Sequence, residues 1–261
     1  PKEVCDLIKK VRPDTLFHLA AFSLPRLSWS QPEKTFDTNI VGTIHILEAL
    51  RKYSPKSRML FASSVQVYGR TFRKEKPVRE TDLIWPESPY AVSKATAELA
   101  CLDYFHRFGL KVIIARAFNH IGPGQSDQLV LSDWCRQIAL AEAKKKDRSL
   151  EVGNLDARRE FLHVEDVVRA YDLLMRKGKP GQVYNVATGK PVQLKKYVNH
   201  LLNSSKINIK VKIRKNRMRL ADPAVMTGSA KKLKSIGWKI QKDDFQALDE
   251  ILENWRDKVQ N

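Results

Sequence analysis

Ser64, Tyr90 and Lys94 are the residues of this chain whose types and spacing could do chemistry together. A hydroxyl, a phenol and an ammonium can move a proton to or from an oxygen and hold the charge that develops there. The phenol is the difficult member. Its ordinary pKa is near ~10, and bringing it down three units requires about 4 kcal/mol of preferential stabilisation of the phenolate. A lysine ammonium and the positive end of a helix dipole are suitable sources. Tyr90 and Lys94 lie four apart in a helix-forming segment that includes Ala91, Val92, Ala95, Ala97, Leu99 and Ala100, so both project from one face. Ser88 suits an N-cap and Pro89 the first helical position, which puts Tyr90 in the first turn. Ser64 closes the apolar run Met59-Leu60-Phe61-Ala62, which reads as a buried strand, so its hydroxyl falls at a strand's carboxyl end. A Tyr-x-x-x-Lys helix also arises by chance on many protein surfaces. The meaning lies in the combination.

The elements that must position these groups alternate. Residues 3–11 predict a short amphipathic helix, Thr15 to Ala20 a strand, Phe36 to Tyr53 a helix, and Met59 to Ala62 a strand. A polar loop from Arg70 to Glu87 leads to a helix from Tyr90 to Phe108, stopped by Gly109, and Val112 to Ala115 is another buried strand. Short apolar strands alternating with helices argue for an α/β fold with a doubly wound parallel sheet, which binds ligands outside the carboxyl ends of its strands. Three such ends carry suggestive words, Ala20-Ala21-Phe22-Ser23, Ser63-Ser64 and Phe118-Asn119-His120, and should converge on one crevice. From about residue 125 the rhythm loosens: helices at Ser132–Lys145, Val164–Met175, Leu194–Leu202 and Phe245–Arg256, with strands at Leu150–Val152 and Val183–Val186. The expected organisation is a sheet domain over residues 1–124 and a smaller, mainly substrate-binding lobe over 125–261, partly interleaved with the sheet.

No apolar run reaches the ~18 residues that span a bilayer and no charged-then-apolar leader opens the chain, so a cytoplasmic protein without membrane attachment is expected. Cys5, Cys101 and Cys135 stand far apart without metal-ligand spacing, which predicts reduced thiols, no disulfide and no metal. The net charge of +18 calls for an anionic partner. Its densest stretch, Lys206 to Lys215, alternates apolar with polar residues and predicts a half-buried strand with one wet lysine face. No zinc-finger spacing, RNA-binding aromatic motif or basic zipper accompanies it, so nucleic acid is the minor reading beside a phosphorylated small substrate.

Several words occur here in an order that resembles the extended short-chain dehydrogenases/reductases acting on nucleotide sugars. They are His18-Leu19-Ala20-Ala21, Asn39-Ile40-Val41-Gly42-Thr43, Ser63-Ser64 with Val67-Tyr68-Gly69, Pro89-Tyr90 to Lys94, and Arg159-Glu160-Phe161 with His163-Val164 and Asp166-Val167-Val168. Within that superfamily the Arg116 to Gln125, Gly153 to Arg159 and Arg217 to Asp222 segments resemble the GDP-sugar branch: the GDP-4-keto-6-deoxy-D-mannose reductases first, the GDP-mannose 4,6-dehydratases next. The resemblance implies a Rossmann-like sheet, NADP(H) or NAD(H) as cofactor, a nucleotide-diphosphate sugar as substrate, and a homodimer packed through the helices at 36–53 and 90–108. It implies Tyr90 as proton donor, Lys94 lowering its pKa while bonding the nicotinamide ribose, and Ser64 bonding the sugar oxygen. It further implies Ala20, Ala21, Asn39 and Ser63 beside the cofactor, and Asn119, Arg158, Arg159 and Arg219 around the nucleoside diphosphate, where guanidinium forks suit two phosphates. His18 and His120 would serve in hydrogen bonding.

Two departures from the pattern carry information. The dehydratases place a glutamate base two residues before the Tyr-Gly of the strand-end motif; here that position is Gln66, and a carboxamide cannot take up a proton at neutral pH. Reduction of a 4-keto sugar is therefore expected over dehydration, with 4-epimerisation as the alternative and an inactive nucleotide-sugar-binding protein as the reading of another class. The family also begins with a glycine-rich turn that receives the cofactor pyrophosphate, and none of the eleven glycines forms one. Aligned with the family, the chain starts before the fourth strand, lacking roughly 60 residues or two strand–helix units. An N-terminally truncated sheet with an exposed edge is expected, binding NADPH weakly on its own and completed by a separate N-terminal piece.

Overall fold

A computed structural model describes residues 2–144, 147–218 and 223–260. In chain order the elements are α1 (Lys2–Val11), β1 (Thr15–His18), α2 (Pro25–Ser28), α3 (Pro32–Phe36), a π-helical turn (Asp37–Val41), α4 (Gly42–Tyr53), β2 (Arg58–Ser64), a 3₁₀ segment (Val65–Lys74), α5 (Pro89–Phe108), β3 (Lys111–Ala117), β4 (Asn119–Ile121), α6 (Val130–Glu142), β5 (Ser149–Val152), β6 (Arg158–Arg159), β7 (Phe161–His163), α7 (Val164–Lys177), β8 (Val183–Val186), β9 (Val192–Gln193), α8 (Leu194–Ser204), β10 (Lys210–Ile213), β11 (Val225–Met226), α9 (Lys231–Lys234) and α10 (Asp244–Gln260).

The main sheet is four-stranded and parallel, in the order β1-β2-β3-β8. Its strands are nearly continuous apolar runs because helices cover both faces. Successive side chains point to opposite faces. Met59, Phe61, Val112 and Ile114 therefore meet Ile8 of α1, Leu47 and Leu50 of α4, and Ala97 and Cys101 of α5. Leu60, Ile113, Ala115 and Val186 meet Val167, Ala170 and Leu174 of α7 and Leu233 of α9. β8 comes from the second half of the chain, so the halves interlock through the sheet. β1 lies at one edge, and Phe17 and Leu19 there are 44% and 57% exposed.

A second core packs Trp134 and Ile138 of α6, Leu150 and Val152 of β5, Tyr197 and Leu201 of α8, and Leu248 and Ile251 of α10. The basic stretch differs from expectation. β10 is exposed at all four residues instead of half-buried: among the described residues it pairs only with β5 in a two-stranded sheet and no second layer covers it. The expected loop after β2 begins with the 3₁₀ segment, and Gly69 makes that path possible. Its φ is +44°, and a Cβ there would fall 2.0 Å from the Trp85 carbonyl oxygen.

Two residues of the Arg159-to-Val168 segment prove to be joints of the fold. His163 caps α7 by accepting from Glu165 N through Nδ1 at 3.1 Å, and its Nε2 lies 3.0 Å from Glu250 of α10. Asp166, fully buried, accepts from Arg169 at 2.6 Å and from the backbone N–H groups of Gln241 and Lys242 at 3.0 Å each. Asp166→Ala leaves those donors without their acceptor and should lower stability by about 3 kcal/mol. Urea denaturation measures this; a midpoint equal to that of the native chain would remove Asp166 from this role.

Candidate active site

α5 carries the reacting groups, and its N-terminus is fixed twice. Ser88 Oγ accepts from Ala91 N at 3.1 Å, as the cap reading expects, and Ser28 Oγ of α2 accepts from Tyr90 N at 3.1 Å while donating to Pro25 O at 2.7 Å. Gly109, at φ +67°, ends the helix. Tyr90 thus stands in the first turn with its backbone held from a different part of the chain. Its hydroxyl hydrogen-bonds Ser64, at the carboxyl end of β2, and Ser64 Oγ also accepts from Gln66 N at 3.2 Å.

Burial sets the proton states here. It raises the Tyr90 phenol above its ordinary value, against the smaller opposing effect of the Ser64 hydrogen bond. It brings Lys94 down to about 8, with Cys101 and Glu98 working against the fall. Lys94 Nζ donates to Ala62 O at 2.8 Å and lies 4.9 Å from the Phe61 ring centroid. The expected depression of Tyr90 by Lys94 is thus absent in this arrangement: the ammonium bonds a β2 carbonyl, and desolvation dominates the phenol. Tyr90 is held as an acid.

Asn39 supports the neighbouring loop by pinching its backbone. The side chain accepts from Phe22 N at 2.7 Å, and Nδ2 lies within hydrogen-bonding reach of both Phe22 O at 3.2 Å and Ser93 Oγ at 2.9 Å. One amide therefore ties the Ala20-Ala21 loop to α5 at the residue before Lys94. Asn39 sits in the π-helical turn, a distortion that recurs at functional sites. Ala20 is exposed and Ala21 half-buried above the sheet edge, leaving room for a ligand to lie against the backbone. Ser63 is turned the other way, its hydroxyl donating to the buried Glu98 carboxylate. It faces the interface of sheet and helix instead of the crevice.

The second group of expected residues gathers where β4 pairs with β7. Asn119 Nδ2 reaches Glu160 O at 3.3 Å, and the largely buried Arg159 donates through Nη1 to Arg158 O at 2.8 Å. Arg158 is exposed, with a 3.4 Å contact to Pro191 O. Arg219 lies outside the described residues. Glu160, which sequence reasoning treated only as part of a motif, organises this end: it accepts from Thr188 N at 2.6 Å, Gly189 N and Gly228 N at 2.7 Å each, and the Thr188 hydroxyl. His120 Nδ1 lies 3.0 Å from Phe118 O.

The nicotinamide end of a dinucleotide fits what is present: an open alanine loop, a buried ammonium with donors beyond its one carbonyl bond, and a protonated phenol. Among the described residues no glycine-rich turn at a helix N-terminus offers a cradle for the phosphate end. Among the described residues no three His, Cys, Asp or Glu are grouped to hold a metal ion, and no helix is long and apolar enough to cross a membrane.

A parallel sheet with serine at one strand end and a Tyr-x-x-x-Lys helix beside it is the arrangement of a short-chain dehydrogenase/reductase, and the chain falls in the NAD-dependent epimerase/dehydratase superfamily of that class. Within it the chain belongs to the GDP-mannose 4,6-dehydratase family, whose model matches residues 1–251. It is 36% identical over 248 residues to GDP-6-deoxy-D-mannose reductase of Pseudomonas aeruginosa, covering 95% of this chain and 82% of that one. Identity to GDP-mannose 4,6-dehydratase of Yersinia enterocolitica is 32% over 205 residues, 78% of this chain and 54% of the relative. The structure of RMD from Pseudomonas aeruginosa complexed with NADPH superposes with a TM-score of 0.89 at 35% identity, covering 95% of this chain and 82% of that one.

His18 offers a direct test of the buried electrostatics. Thr43 Oγ1 spends its proton on Asn39 O at 2.7 Å, so the 2.9 Å contact with His18 Nε2 makes the imidazole the donor. Burial first, and then the Lys94 charge, push His18 down to about 4. Because the folded value lies below the unfolded ~6.5, the unfolded chain binds the extra proton first, and stability falls as pH drops from about 6.5 toward 4. The full loss is about 3 kcal/mol. Denaturation across that range should show it and His18→Gln should abolish that part; an unchanged pH dependence in the variant would assign it elsewhere.

Proposed function

We propose that this protein reduces the carbonyl of a nucleotide-linked 4-keto-6-deoxy sugar, a GDP-sugar in the first instance, at the expense of NADPH. The observation that carries the reading is the Ser64–Tyr90 hydrogen bond at the end of β2, with Lys94 one turn along α5 and Gln66 close by. A reduced nicotinamide, when bound, supplies the hydride. Tyr90 holds the proton the carbonyl oxygen needs, and its burial keeps that proton in place until a substrate arrives. Ser64, already joined to the same hydroxyl, is placed to hydrogen-bond the same oxygen. Lys94 is charged at neutral pH and opposes the negative charge left on the phenol. Ala20 and Ala21 leave space for the cofactor, with Asn39 fixing that loop. Asn119, Arg158, Arg159 and Arg219 would hold the nucleoside diphosphate.

The reductase from Pseudomonas aeruginosa and its complex with NADPH support both the substrate class and NADPH over NADH. The dehydratase relatives give the second reading, and Gln66 argues against it because the amide offers no base for removing a proton alpha to the ketone. Dimerisation is part of the proposal. Leu99 and Phe108 of α5 are exposed large apolar side chains, and Val41 lies exposed just before α4.

Tyr90→Phe should lower the rate of NADPH oxidation in the presence of GDP-4-keto-6-deoxy-mannose by about 10²–10⁴-fold. Loss of absorbance from the reduced cofactor follows the reaction, and a variant retaining more than about a tenth of the native rate would take the proton-donor role away from Tyr90. Leu99→Glu should shift sedimentation toward monomer, and a native chain that sediments as a monomer at micromolar concentration would end the dimer proposal.

A further inference from the structure

Lys94 and Glu98 lie one turn apart on α5, at 3% and 1% exposure, fastened to consecutive residues of β2. Lys94 bonds the Ala62 carbonyl, and Ser63 donates its hydroxyl to Glu98. Arg116 of β3, also 3% exposed, closes on the same carboxylate, Nη2 donating to Oε2 at 2.7 Å and Nε to Oε1 at 3.0 Å. Its Nη1 donates to the Tyr68 hydroxyl at 2.9 Å, and Tyr68 in turn to Asn185 of β8 at 2.7 Å. Apart from Lys94, none of these groups takes part in the proton transfer described above.

An ammonium removed from water sheds its proton unless a negative charge replaces the lost hydration. Among the described residues, the titratable groups that interact with Lys94 are His18 from β1 and Glu98 and Cys101 from its own helix, with Tyr90 one turn earlier on that helix and Arg116 behind Glu98 on β3. Burial holds His18, Tyr90 and Cys101 in their neutral forms. Of the two groups set against the fall of Lys94, Cys101 and Glu98, the buried thiol keeps its proton and carries no charge, which leaves Glu98, shared with Arg116, as the anion. A buried carboxylate would itself protonate without donors, and Arg116 and Ser63 supply them.

We propose that Glu98, kept ionised by Arg116 and Ser63, is a positioning residue that keeps Lys94 charged at the pH of the reaction. The proposal rests on reading Lys94 as part of the reaction centre. Its function is electrostatic and acts through Lys94, since Glu98 has no access to the crevice.

The test follows the Lys94 ammonium itself, by NMR titration of isotope-labelled lysine, with its signal identified by its absence in Lys94→Met. In Glu98→Gln the midpoint should fall by about one pH unit, which is tenfold less ammonium at a fixed pH above it. Because that variant strands a buried guanidinium and can fail to fold, the double variant Glu98→Gln/Arg116→Gln is measured beside it, and its midpoint should fall as well. Glu98→Asp, which keeps the charge, should titrate with the native chain. The pH profile of NADPH-dependent reduction should move with the midpoint, in kcat and not in KM for the sugar. An unmoved midpoint in the folded double variant overturns the proposal whatever the activity. A shifted midpoint in a chain that reduces no keto sugar upholds the electrostatic coupling and removes the functional reading instead.

Discussion

A carboxylate withdrawn from water costs several kcal/mol unless donors replace its hydration. This fold meets that constraint at Glu98, Glu160 and Asp166, all essentially without exposure. Each draws on donors that are remote in sequence, Asp166 in addition to the neighbouring Arg169. Glu98 joins α5 to β2 and β3. Glu160 gathers the turns after β8 and β11 around the β6–β7 junction. Asp166 clamps the segment before α10 to the start of α7. The apolar cores decide which faces meet, but they are tolerant of small slides. The carboxylates are not, because a displaced donor leaves a buried charge uncompensated.

The reaction centre inherits its character from the same desolvation. Tyr90, Lys94 and His18 are all pushed toward their neutral forms, in opposite directions on the pH scale. A lysine that drags a tyrosine down is therefore an incomplete picture of this site. Burial favours a phenol that retains its proton beside an ammonium that itself needs support, and the support proposed is Glu98, one turn along the same helix.

What the sequence made legible follows from which features are local. β2, β3 and β8 announce themselves as short apolar runs, and α5 by Ser88, Pro89 and Gly109 at its ends, because capping and burial on both faces leave marks on adjacent residues. The strands of two or three residues, β4, β6, β7, β9 and β11, are too short for any period to register. Glu98 drew no notice in the sequence and Asp166 entered only as part of a motif, since most helix charges are solvated and nothing nearby in sequence reveals Arg116 or the Gln241 backbone. The direction of the Ser63 hydroxyl was hidden for a related reason: adjacent strand residues face opposite ways, so Ser63 turns to Glu98 while Ser64 turns to Tyr90. β10 misled because its alternation is genuine while its second layer is missing.

The π-helical turn at Asp37–Val41 places one additional residue within the helical run from Pro32 to Tyr53. Each residue advances a helix by about 100°, so this insertion resets the angular phase between the two ends of the run. The leading end lies against α5, where Thr35 is buried, while the trailing end lays Leu47 and Leu50 on Met59 and Phe61 of the sheet. Asn39 occupies the dislocation between them. A sequence that lost one residue here would regain a regular helix and could then match only one of its two surroundings. Length conservation across residues 37–41 is thus a structural demand on any descendant of this chain, independent of which side chains it carries.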